Sequence, residues 1–428
     1  MSVSPEQPGV SPDTGTPGAV TARPADAARE GRGGWPRFAV AALWGVGLLG
    51  LAARLVLAWY SVGSNDMTTW AFFTVLIEQR GVGWMYDNVQ AFNHPPLMGY
   101  LAWGTLWLAN ATGWPFHFCF KLPQVLAEAV VVWLLWKRWS RGGSPLRAAA
   151  AVALFGWSLD SILLAAYHGN TDALVALMCL LACYLVEAHG LFFLGGLALG
   201  GAINVKLIPV FLVPPLLAGC RGRELLRFMG GLALGAVPFV PFLLDHGQTF
   251  YRNALTYNSN FDNWGLPFLI RQWGERAPSA TAERVRELFV ATGRYLNLGL
   301  ILAVSLWARW RGKGGRYELA AICLSLFLIF TPGFGVQYTV YICPLLFAVS
   351  LRWAAAYATL AGVFVGWVYY LFWNHGVPAY SQFTSALQFE PALVGFCAWW
   401  VLIGFVGTRL RALGLLRWGP APVVVPER

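Results

Sequence analysis

Long apolar runs alternate with short basic loops over most of the chain. Many of these runs have the length of about 17–25 residues that crosses a bilayer as an α-helix. The pattern therefore predicts an all-α polytopic membrane protein. The predicted spans are 38–62, 118–136, 146–166, 172–187, 191–204, 205–218, 228–244, 289–310, 317–330, 336–351, 353–372 and 391–407.

The basic residues predict the orientation of these spans, because Lys and Arg are retained in cytoplasmic loops. Four arginines precede the first span, at positions 23, 29, 32 and 37, which places the N-terminus in the cytoplasm. The later basic loops fall on the same side if the apolar run 95–112 stays outside as a surface helix. We therefore predict about 12 transmembrane helices, with bounds of about 10–13, and both termini in the cytoplasm.

This topology divides the chain into four regions. They are a disordered cytoplasmic tail (1–36), a main transmembrane module (37–351), a variable set of C-terminal transmembrane helices (352–408) and a basic cytoplasmic tail (409–428). The first tail is rich in Pro, Gly, Ala and Thr and has no apolar segment. The main module has a first outer loop at 62–115, with surface helices, and a long outer loop at 245–287.

Composition supports the membrane assignment. Hydrophobic residues make up 57% of the chain and charged residues 12%, against about 25% charged in soluble domains. The net charge of +10 follows from the retained basic loops, so we predict membrane lipid and not nucleic acid as a partner. The seven cysteines lie mostly in apolar runs without paired CxxC motifs, which favours buried packing over metal binding.

Polar residues collect at the predicted outer ends of the spans. They are Asn65 and Asp66, Asp87, His94, His168, Asn170 and Asp172, Lys206, and Gln337 and Tyr338. Ionisable groups at membrane depth are costly and usually functional. Because all of these lie on one predicted side, we expect them to converge on one water-facing cavity.

Most of these residues also have a structural interpretation. Asp66 and Asp172 each precede an apolar helix and suit helix capping. His94 and His168 suit hydrogen bonding within the fold. Lys206 suits extension toward the outer head groups.

Two further charges lie inside predicted spans. Arg54 is in the first span and Glu128 in the second. A buried ion pair between helices is the favoured interpretation for Glu128, and phosphate binding is an alternative for Arg54.

An ordered set of motifs resembles the GT-C superfamily of membrane glycosyltransferases, which use polyprenyl-phosphate sugars. The motifs are Asn65-Asp66, Phe92-Asn93-His94-Pro95-Pro96-Leu97, His168-Gly169-Asn170-Thr171-Asp172-Ala173-Leu174, Asn204-Val205-Lys206-Leu207-Ile208-Pro209 and Phe334-Gly335-Val336-Gln337-Tyr338. Their order is similar to that of glycosyltransferase 87-like bacterial mannosyltransferases and of dolichyl-phosphate-glucose enzymes of N-glycan assembly. The resemblance covers residues 38–351 and implies the GT-C fold.

The resemblance implies an enzyme that transfers a hexose, most often mannose, from a polyprenyl-phosphate sugar to a glycolipid or glycan. The active site would lie on the outer face of the plasma membrane. Some relatives carry an Asp-x-Asp or Glu-Asp pair where this chain has Asn65-Asp66. We therefore assign no cofactor and no metal-binding residue, and a divalent metal remains an open alternative.

The chemistry of that reaction suggests roles for the polar residues. Asp66 is the candidate catalytic base for the acceptor hydroxyl, with inversion at the anomeric carbon. Lys206 is the candidate cation for the leaving phosphate, ahead of Arg252 and Arg271. The candidate substrate-binding residues are Asn65, His94, His168, Asn170, Asp172, Lys206, Gln337, Tyr338 and Arg54.

Two other classes of protein compete with the enzyme. A transporter or flippase of lipid-linked sugars also needs a polar cavity, but the chain shows no internal repeat and its polar motifs lie on one side. A non-catalytic membrane scaffold is the third class, and it predicts that Asp66 and His94 are replaceable.

Overall fold

The computed structural model describes residues 37–255, 264–374 and 389–416, and within these ranges the regular structure is entirely helical. The predicted tail 1–36, the end of the basic tail and most of the loop 374–390 lie outside the described residues. The helices are α1 (Arg37–Tyr60), α2 (Asn65–Arg80), α3 (Val82–Asn88), α4 (Pro96–Thr112), α5 (Phe116–Ser140), α6 (Pro145–Gly156), α7 (Leu159–Ile162), α8 (Asp172–His189), α9 (Phe192–Val205), α10 (Val213–Ala218), α11 (Arg223–Ala236), α12 (Val240–Asp245), α13 (Gly247–Phe250), α14 (Gly265–Arg276), α15 (Ala280–Arg311), α16 (Arg316–Phe330), α17 (Thr339–Val349), α18 (Leu351–Asn374) and α19 (Phe389–Leu413).

Seven of the described helices are long and apolar enough to cross a membrane. They are Arg37–Tyr60, Phe116–Ser140, Asp172–His189, Arg223–Asp245, Ala280–Arg311, Leu351–Tyr369 and Pro391–Leu413. Pro145–Gly156 and Leu159–His168 form a pair bent by 47° that would make an eighth span. The fold class of a polytopic helical membrane protein is therefore confirmed, whereas 12 crossings stays a prediction.

Several helices begin or end at residues other than the predicted ones, and proline or glycine explains some of these differences. The predicted span 205–218 is broken, because α9 ends at Val205 and a short 3-10 helix, Ile208–Leu212, precedes α10. Prolines within this segment lack the backbone N–H that a continuous helix needs. Gly81 ends α2 with a φ of 83°, but Gly83, predicted to help end it, lies inside α3.

The predicted long outer loop 245–287 is largely helical where it is described. It contains α13 and α14, and α15 already begins at Ala280, where Ser279 accepts a hydrogen bond from the Ala282 amide as an N-cap. At the C-terminal end, α19 continues past the predicted boundary at 408 to Leu413. Arg409 and Arg411 therefore lie on that helix.

The first outer loop folds into three helices, two of them at positions predicted to be helical and a third, α3, that was not predicted. Trp70, Phe73 and Ile77 are buried on one side of α2, which is the spacing that lays an amphipathic helix on an apolar surface. Pro95 and Pro96 start α4, where the missing proline N–H costs nothing. The loop is therefore a packed layer of helices beside the spans.

Polar contacts gather at two opposite ends of the helical bundle. At one end, which we call the site end, Ser64 before α2 bonds the backbone carbonyl of His168, just before α8. At the other, the basic end, Arg309 of α15 donates to the carbonyl of Cys220 and Lys313 donates to that of Leu413. The basic loops that were predicted to share one side thus meet at one end.

Helices α9 and α11 pack closely against each other, and this contact helps to position the C-terminal end of α9, which leads to Lys206. Gly196 and Gly231 each face the backbone of the opposite helix, with Gly231 against the carbonyl oxygen of Phe193. Small residues at such spacing let two membrane helices approach closely. Asn204, at the end of α9, donates to the Gly235 carbonyl at 3.1 Å and so ties the segment before Lys206 to this crossing.

We expect Gly231→Ala to lower the free energy of unfolding by about 1–3 kcal/mol, the usual cost of overpacking. The new methyl group would meet the backbone of Phe193, which cannot rotate away. Gly230→Ala is the matched control, because its nearest neighbour is the Phe193 ring at 3.9 Å. Thermal unfolding in detergent compares the two variants, and equal melting temperatures would contradict the close crossing.

Candidate active site

The site end brings together side chains from segments that are far apart in the sequence. Asp66 comes from the first turn of α2, His168 and Asn170 from the turn before α8, and Asp172 from the first residue of α8. Lys206 follows the end of α9. We call these five residues the polar cluster.

Gly169 gives the polar cluster its shape. It adopts a φ of +79°, a conformation that residues with a Cβ rarely adopt. A side chain there would also lie 2.8 Å from the sulfur of Met67 on α2. This tight turn directs both His168 and Asn170 toward Asp66.

The Asp66 carboxylate is held but still accessible. Asn170 Nδ2 donates to Asp66 Oδ2 at 2.7 Å, and His168 Nε2 lies 3.2 Å from the same oxygen. Burial alone would raise the pKa of Asp66, but His168, Lys206 and Asn170 together hold that pKa below its ordinary value. The side chain is 31% exposed, so an ionised carboxylate faces outward from a fixed position.

Two neighbours fix the ring of His168. Ser64 Oγ lies 2.8 Å from His168 Nδ1, and the ring of Tyr369 stacks on the imidazole with centroids 5.2 Å apart. Because the single hydrogen of the Ser64 hydroxyl is donated to the His168 carbonyl, its oxygen is placed to accept a hydrogen bond from Nδ1–H, and Nε2 lies on the side of the ring that faces Asp66. His168 therefore orients the Asp66 carboxylate.

Lys206 and Asp172 form the second half of the polar cluster. Lys206 Nζ lies 2.7 Å from Asp172 Oδ1, and Tyr341 donates a hydrogen bond to the same oxygen. The ammonium also lies 5.6 and 5.7 Å from the ring centroids of Tyr338 and Tyr341, within the range of a cation–π contact. The Lys206 side chain is 13% exposed, so a preplaced cation reaches the surface of the cluster.

A cavity of about 300 Å³ opens beside Lys206. Its polar lining includes His94, Lys206, Arg294 and Asn297, and its apolar lining includes Ile208, Phe211 and Phe327. Asn297 donates to the Phe327 carbonyl at 2.9 Å, while its buried Oδ1 has no hydrogen-bond partner within the described residues. The cavity thus offers both polar contacts and an apolar wall.

Charge is unevenly balanced across the polar cluster and the cavity beside it. Asp66 and Asp172 contribute two carboxylates, and Lys206 contributes one ammonium. Burial and the charge of Lys206 lower the pKa of His94 to about 3, so His94 is neutral at physiological pH. Arg294, on α15, is the other cation that lines the cavity among the described residues.

The structure thus places most of the predicted site residues near one another. His94 lies against Trp70, with ring centroids 4.6 Å apart, and lines the cavity together with Tyr338. Asn65 is the first residue of α2. Gln337 lies half-buried on the short helix that leads to α17, and it is not among the residues that line the cavity.

Arg54 lies apart from the cavity, in a fully buried ion pair. Its Nη2 is 3.3 Å from Glu128 Oε2 and 2.8 Å from Ser161 Oγ, and it also donates to the Phe155 carbonyl at 3.1 Å. These contacts match the structural interpretation of Glu128. They join α1, α5, α6 and α7 beneath the polar cluster.

The capping interpretation of the two aspartates is wrong. Ser64 is the N-cap of α2 and accepts from the Asp66 amide, and Thr171 occupies the N-cap position of α8. Lys206 pairs with Asp172 instead of extending to the membrane surface. Each of these three side chains is therefore directed into the polar cluster.

Asp87 belongs to a separate group of side chains at the site end. Its carboxylate lies 2.8 Å from His246 Nδ1 and accepts from Thr249 Oγ1 at 2.8 Å. This contact joins α3 to α13. Arg271 also lies elsewhere, 3.5 Å from Glu275 on α14.

Sequence reasoning missed Tyr341, Tyr369, Asn297 and Arg294. The two tyrosines lie in apolar runs and resemble packing residues. Arg294 could have been identified from the sequence, because an ionisable residue inside a predicted span (289–310) is a functional candidate by default.

The described residues contain no group of three or more His, Cys, Asp or Glu side chains arranged to hold a metal ion. Asp66 and Asp172 instead bond Asn170, Lys206 and Tyr341. The polar cluster is thus built from carboxylates, amide, imidazole and ammonium groups. This set suits proton transfer and the binding of an anion.

Comparison with known proteins identifies the family. A sequence model of glycosyltransferase family 87 matches residues 92–332, more than half of the chain. A search of curated proteins found no match to the chain. The match includes His94, His168, Asp172, Lys206 and Arg294, and it confirms the resemblance drawn from the ordered motifs. The chain therefore belongs to glycosyltransferase family 87.

Proposed function

We propose that this glycosyltransferase moves a hexose from a polyprenyl-phosphate sugar to a hydroxyl of a glycolipid or glycan on the outer face of the plasma membrane. The observation that carries the proposal is that the polar cluster, next to the cavity that Lys206 lines, contains two complementary chemical groups. Asp66 offers an ionised carboxylate, and Lys206 offers an ammonium a short distance away along the same cluster. Mannose is the expected sugar, since the ordered motifs resemble mannosyltransferases of this family.

The shape of the cavity supports a lipid-linked donor. Lys206 and Arg294 are the cations in its lining, and Ile208, Phe211 and Phe327 contribute apolar surface. Val210 also lines it and is 49% exposed on the outside of the bundle. A phosphate bound near Lys206 would therefore leave room for a polyprenyl chain to pass sideways into the bilayer.

The reaction needs one proton acceptor and one cation. The acceptor hydroxyl oxygen attacks the anomeric carbon, and the bond from that carbon to the phosphate oxygen breaks. Asp66 takes the hydroxyl proton. Lys206 stabilises the negative charge that develops on the departing polyprenyl phosphate. A single displacement of this kind inverts the configuration at the anomeric carbon.

Other residues of the cluster would bind the sugar or hold the base. Neutral His94 and Asn297, whose Oδ1 has no partner among the residues that the structure describes, both line the cavity and suit the hydroxyls of a hexose. Asn170 and His168 fix the orientation of Asp66. Arg294 would offset the surplus negative charge that a phosphate brings to a site with two carboxylates.

The pH dependence of transfer gives a test of the base. Because the pKa of Asp66 is lowered, the carboxylate stays ionised and kcat/KM should hold steady as the pH falls to about 5, above the ordinary carboxyl range. His168→Gln removes a group that lowers this pKa, so burial then dominates and the acidic limb of the profile should move to higher pH.

The control for this shift is His246→Gln, which alters the separate pair with Asp87. Its acidic limb should match that of the wild type. An unchanged limb in His168→Gln would contradict the role given to Asp66 as base.

Comparison of donor classes tests the proposed substrate. Protein purified in lipid nanodiscs would receive mannose labelled with tritium, either on a polyprenyl phosphate or on a nucleoside diphosphate. We expect transfer to a membrane glycolipid extract only from the first, with the product anomer opposite to that of the donor. Transfer from the nucleotide sugar, or a retained anomer, would contradict the proposal.

A further inference from the structure

A second polar cavity lies at the basic end, far along the same helices from the polar cluster. It has a volume of about 220 Å³ and is bounded by the end of α10, the end of α15 and the start of α16. Four of its lining residues are cations, namely Arg221, Arg309, Lys313 and Arg316. No carboxylate is present among the described residues that line it.

We infer that this cavity binds a phosphate group. Four positive side chains that converge without a lining carboxylate repel one another, and an anion between them would remove that cost. Arg and Lys side chains form charge-assisted hydrogen bonds to phosphate oxygens, and Arg can do so with two parallel bonds.

Two of the cations are fixed by hydrogen bonds to backbone carbonyls, and each keeps further N–H groups that can bind a ligand. Arg309 Nη1 donates to the Cys220 carbonyl at 2.8 Å, which holds its guanidinium against the end of α10. Lys313 Nζ donates to the Leu413 carbonyl at 3.2 Å. A guanidinium has five N–H donors and an ammonium has three, so both residues can also bind a ligand without losing these contacts.

Arg316 gives an independent indication of a ligand. Its guanidinium lies directly against Gly219, in space that any larger residue at position 219 would fill. Its Nε is buried and has no hydrogen-bond partner within the described part of the chain. A buried donor without a partner costs free energy, and an anion bound beside the guanidinium would offset that cost through its charge.

Two carboxylates near the cavity accept hydrogen bonds from backbone amides. Glu187 Oε2 accepts from the Tyr317 amide at 3.2 Å, at the start of α16. Glu224 Oε2 accepts from the Arg221 amide at 3.2 Å. Neither lines the cavity, so neither neutralises the four cations from within.

The size and position of the cavity define the class of ligand. It is smaller than the roughly 300–1,000 Å³ typical of sites for whole drug-sized molecules, which favours a single phosphate group. It also lies at the ends of membrane helices, where lipid head groups are found, and basic pockets between helices bind anionic lipids. The phosphate would come from an anionic phospholipid or from free inorganic phosphate.

The test measures the melting temperature of the full-length protein in neutral detergent. One arm titrates short-chain phosphatidylglycerol against phosphatidylcholine with the same acyl chains. The other titrates inorganic phosphate against chloride at matched ionic strength. Stabilisation by phosphatidylglycerol alone assigns the site to a lipid, and stabilisation by inorganic phosphate assigns it to the free ion.

Paired variants then locate the binding. The double variant Arg221→Gln with Lys313→Gln removes two charges that line the cavity. It should raise the ligand concentration that gives half of the maximal stabilisation by about tenfold or more. Arg223→Gln with Arg311→Gln removes two charges at the same end that do not line the cavity, and should change it less than about threefold by the same reasoning.

Gly219→Ala tests the cavity without removing a charge, because the new methyl group would displace the Arg316 guanidinium. We expect it to weaken stabilisation as well. The inference is overturned if neither ligand stabilises the protein. It is also overturned if the two double variants lose affinity equally, since binding would then follow total charge and not this cavity.

Discussion

Asp66→Asn is expected to lower kcat/KM for sugar transfer by about 100-fold or more, the scale of a lost general base. The amide keeps the shape of the side chain but cannot accept the hydroxyl proton. Since Asp66 is partly exposed and the α2 N-cap is Ser64, the fold should survive the change. The measurement is transfer of labelled mannose by the purified variant, with its melting temperature determined in parallel.

Asp87→Asn is the matched control for this change. Asp87 is a carboxylate in the same outer loop, but it pairs with His246 and Thr249, outside the polar cluster. We expect its activity to stay within about threefold of wild type, as for changes remote from the reacting groups. If Asp66→Asn is as active as wild type, the base must be another carboxylate, and loss of activity in Asp87→Asn would identify it.

Lys206→Met is expected to lose about 100- to 1,000-fold in kcat, the usual effect of removing a group that stabilises developing charge. The same change leaves Asp172 buried without its cation, which costs about 3–5 kcal/mol in such pairs. The single variant therefore combines a catalytic loss with a loss of stability.

A double variant separates these two effects. Lys206→Met with Asp172→Asn removes both charges of the pair, and the new amide can still accept the hydrogen bond from Tyr341. We expect its melting temperature to recover most of the loss while its activity stays low. Recovery of activity together with stability would show that Lys206 has only a structural role.

The convergence of the polar cluster could be predicted because it follows from topology. Asp66, His168 and Lys206 lie at the ends of predicted helices, and the basic loops place all three ends together. The buried pair of Arg54 and Glu128 could be proposed for a similar reason, because isolated charges inside helices need partners.

Other parts of the site could not be read from the sequence. Tyr341 and Tyr369 lie in apolar runs, and hydropathy alone does not reveal which face of a buried helix meets a polar cluster. The sequence did not reveal that α15 begins at Ala280, inside the predicted long loop 245–287, because the first turns of this helix are rich in charged residues. Arg294 and Asn297 fell within the predicted span 289–310 and were not singled out, although they line the cavity.

The most direct test of the central claim follows a labelled sugar in proteoliposomes. Wild-type protein would be supplied with polyprenyl-phosphate mannose, labelled in the sugar, and a glycolipid acceptor. We predict that the label moves into the acceptor while an equal amount of polyprenyl phosphate is released. If the donor instead changes leaflet with its sugar still attached, the protein moves lipid-linked sugars and the account of group transfer is wrong.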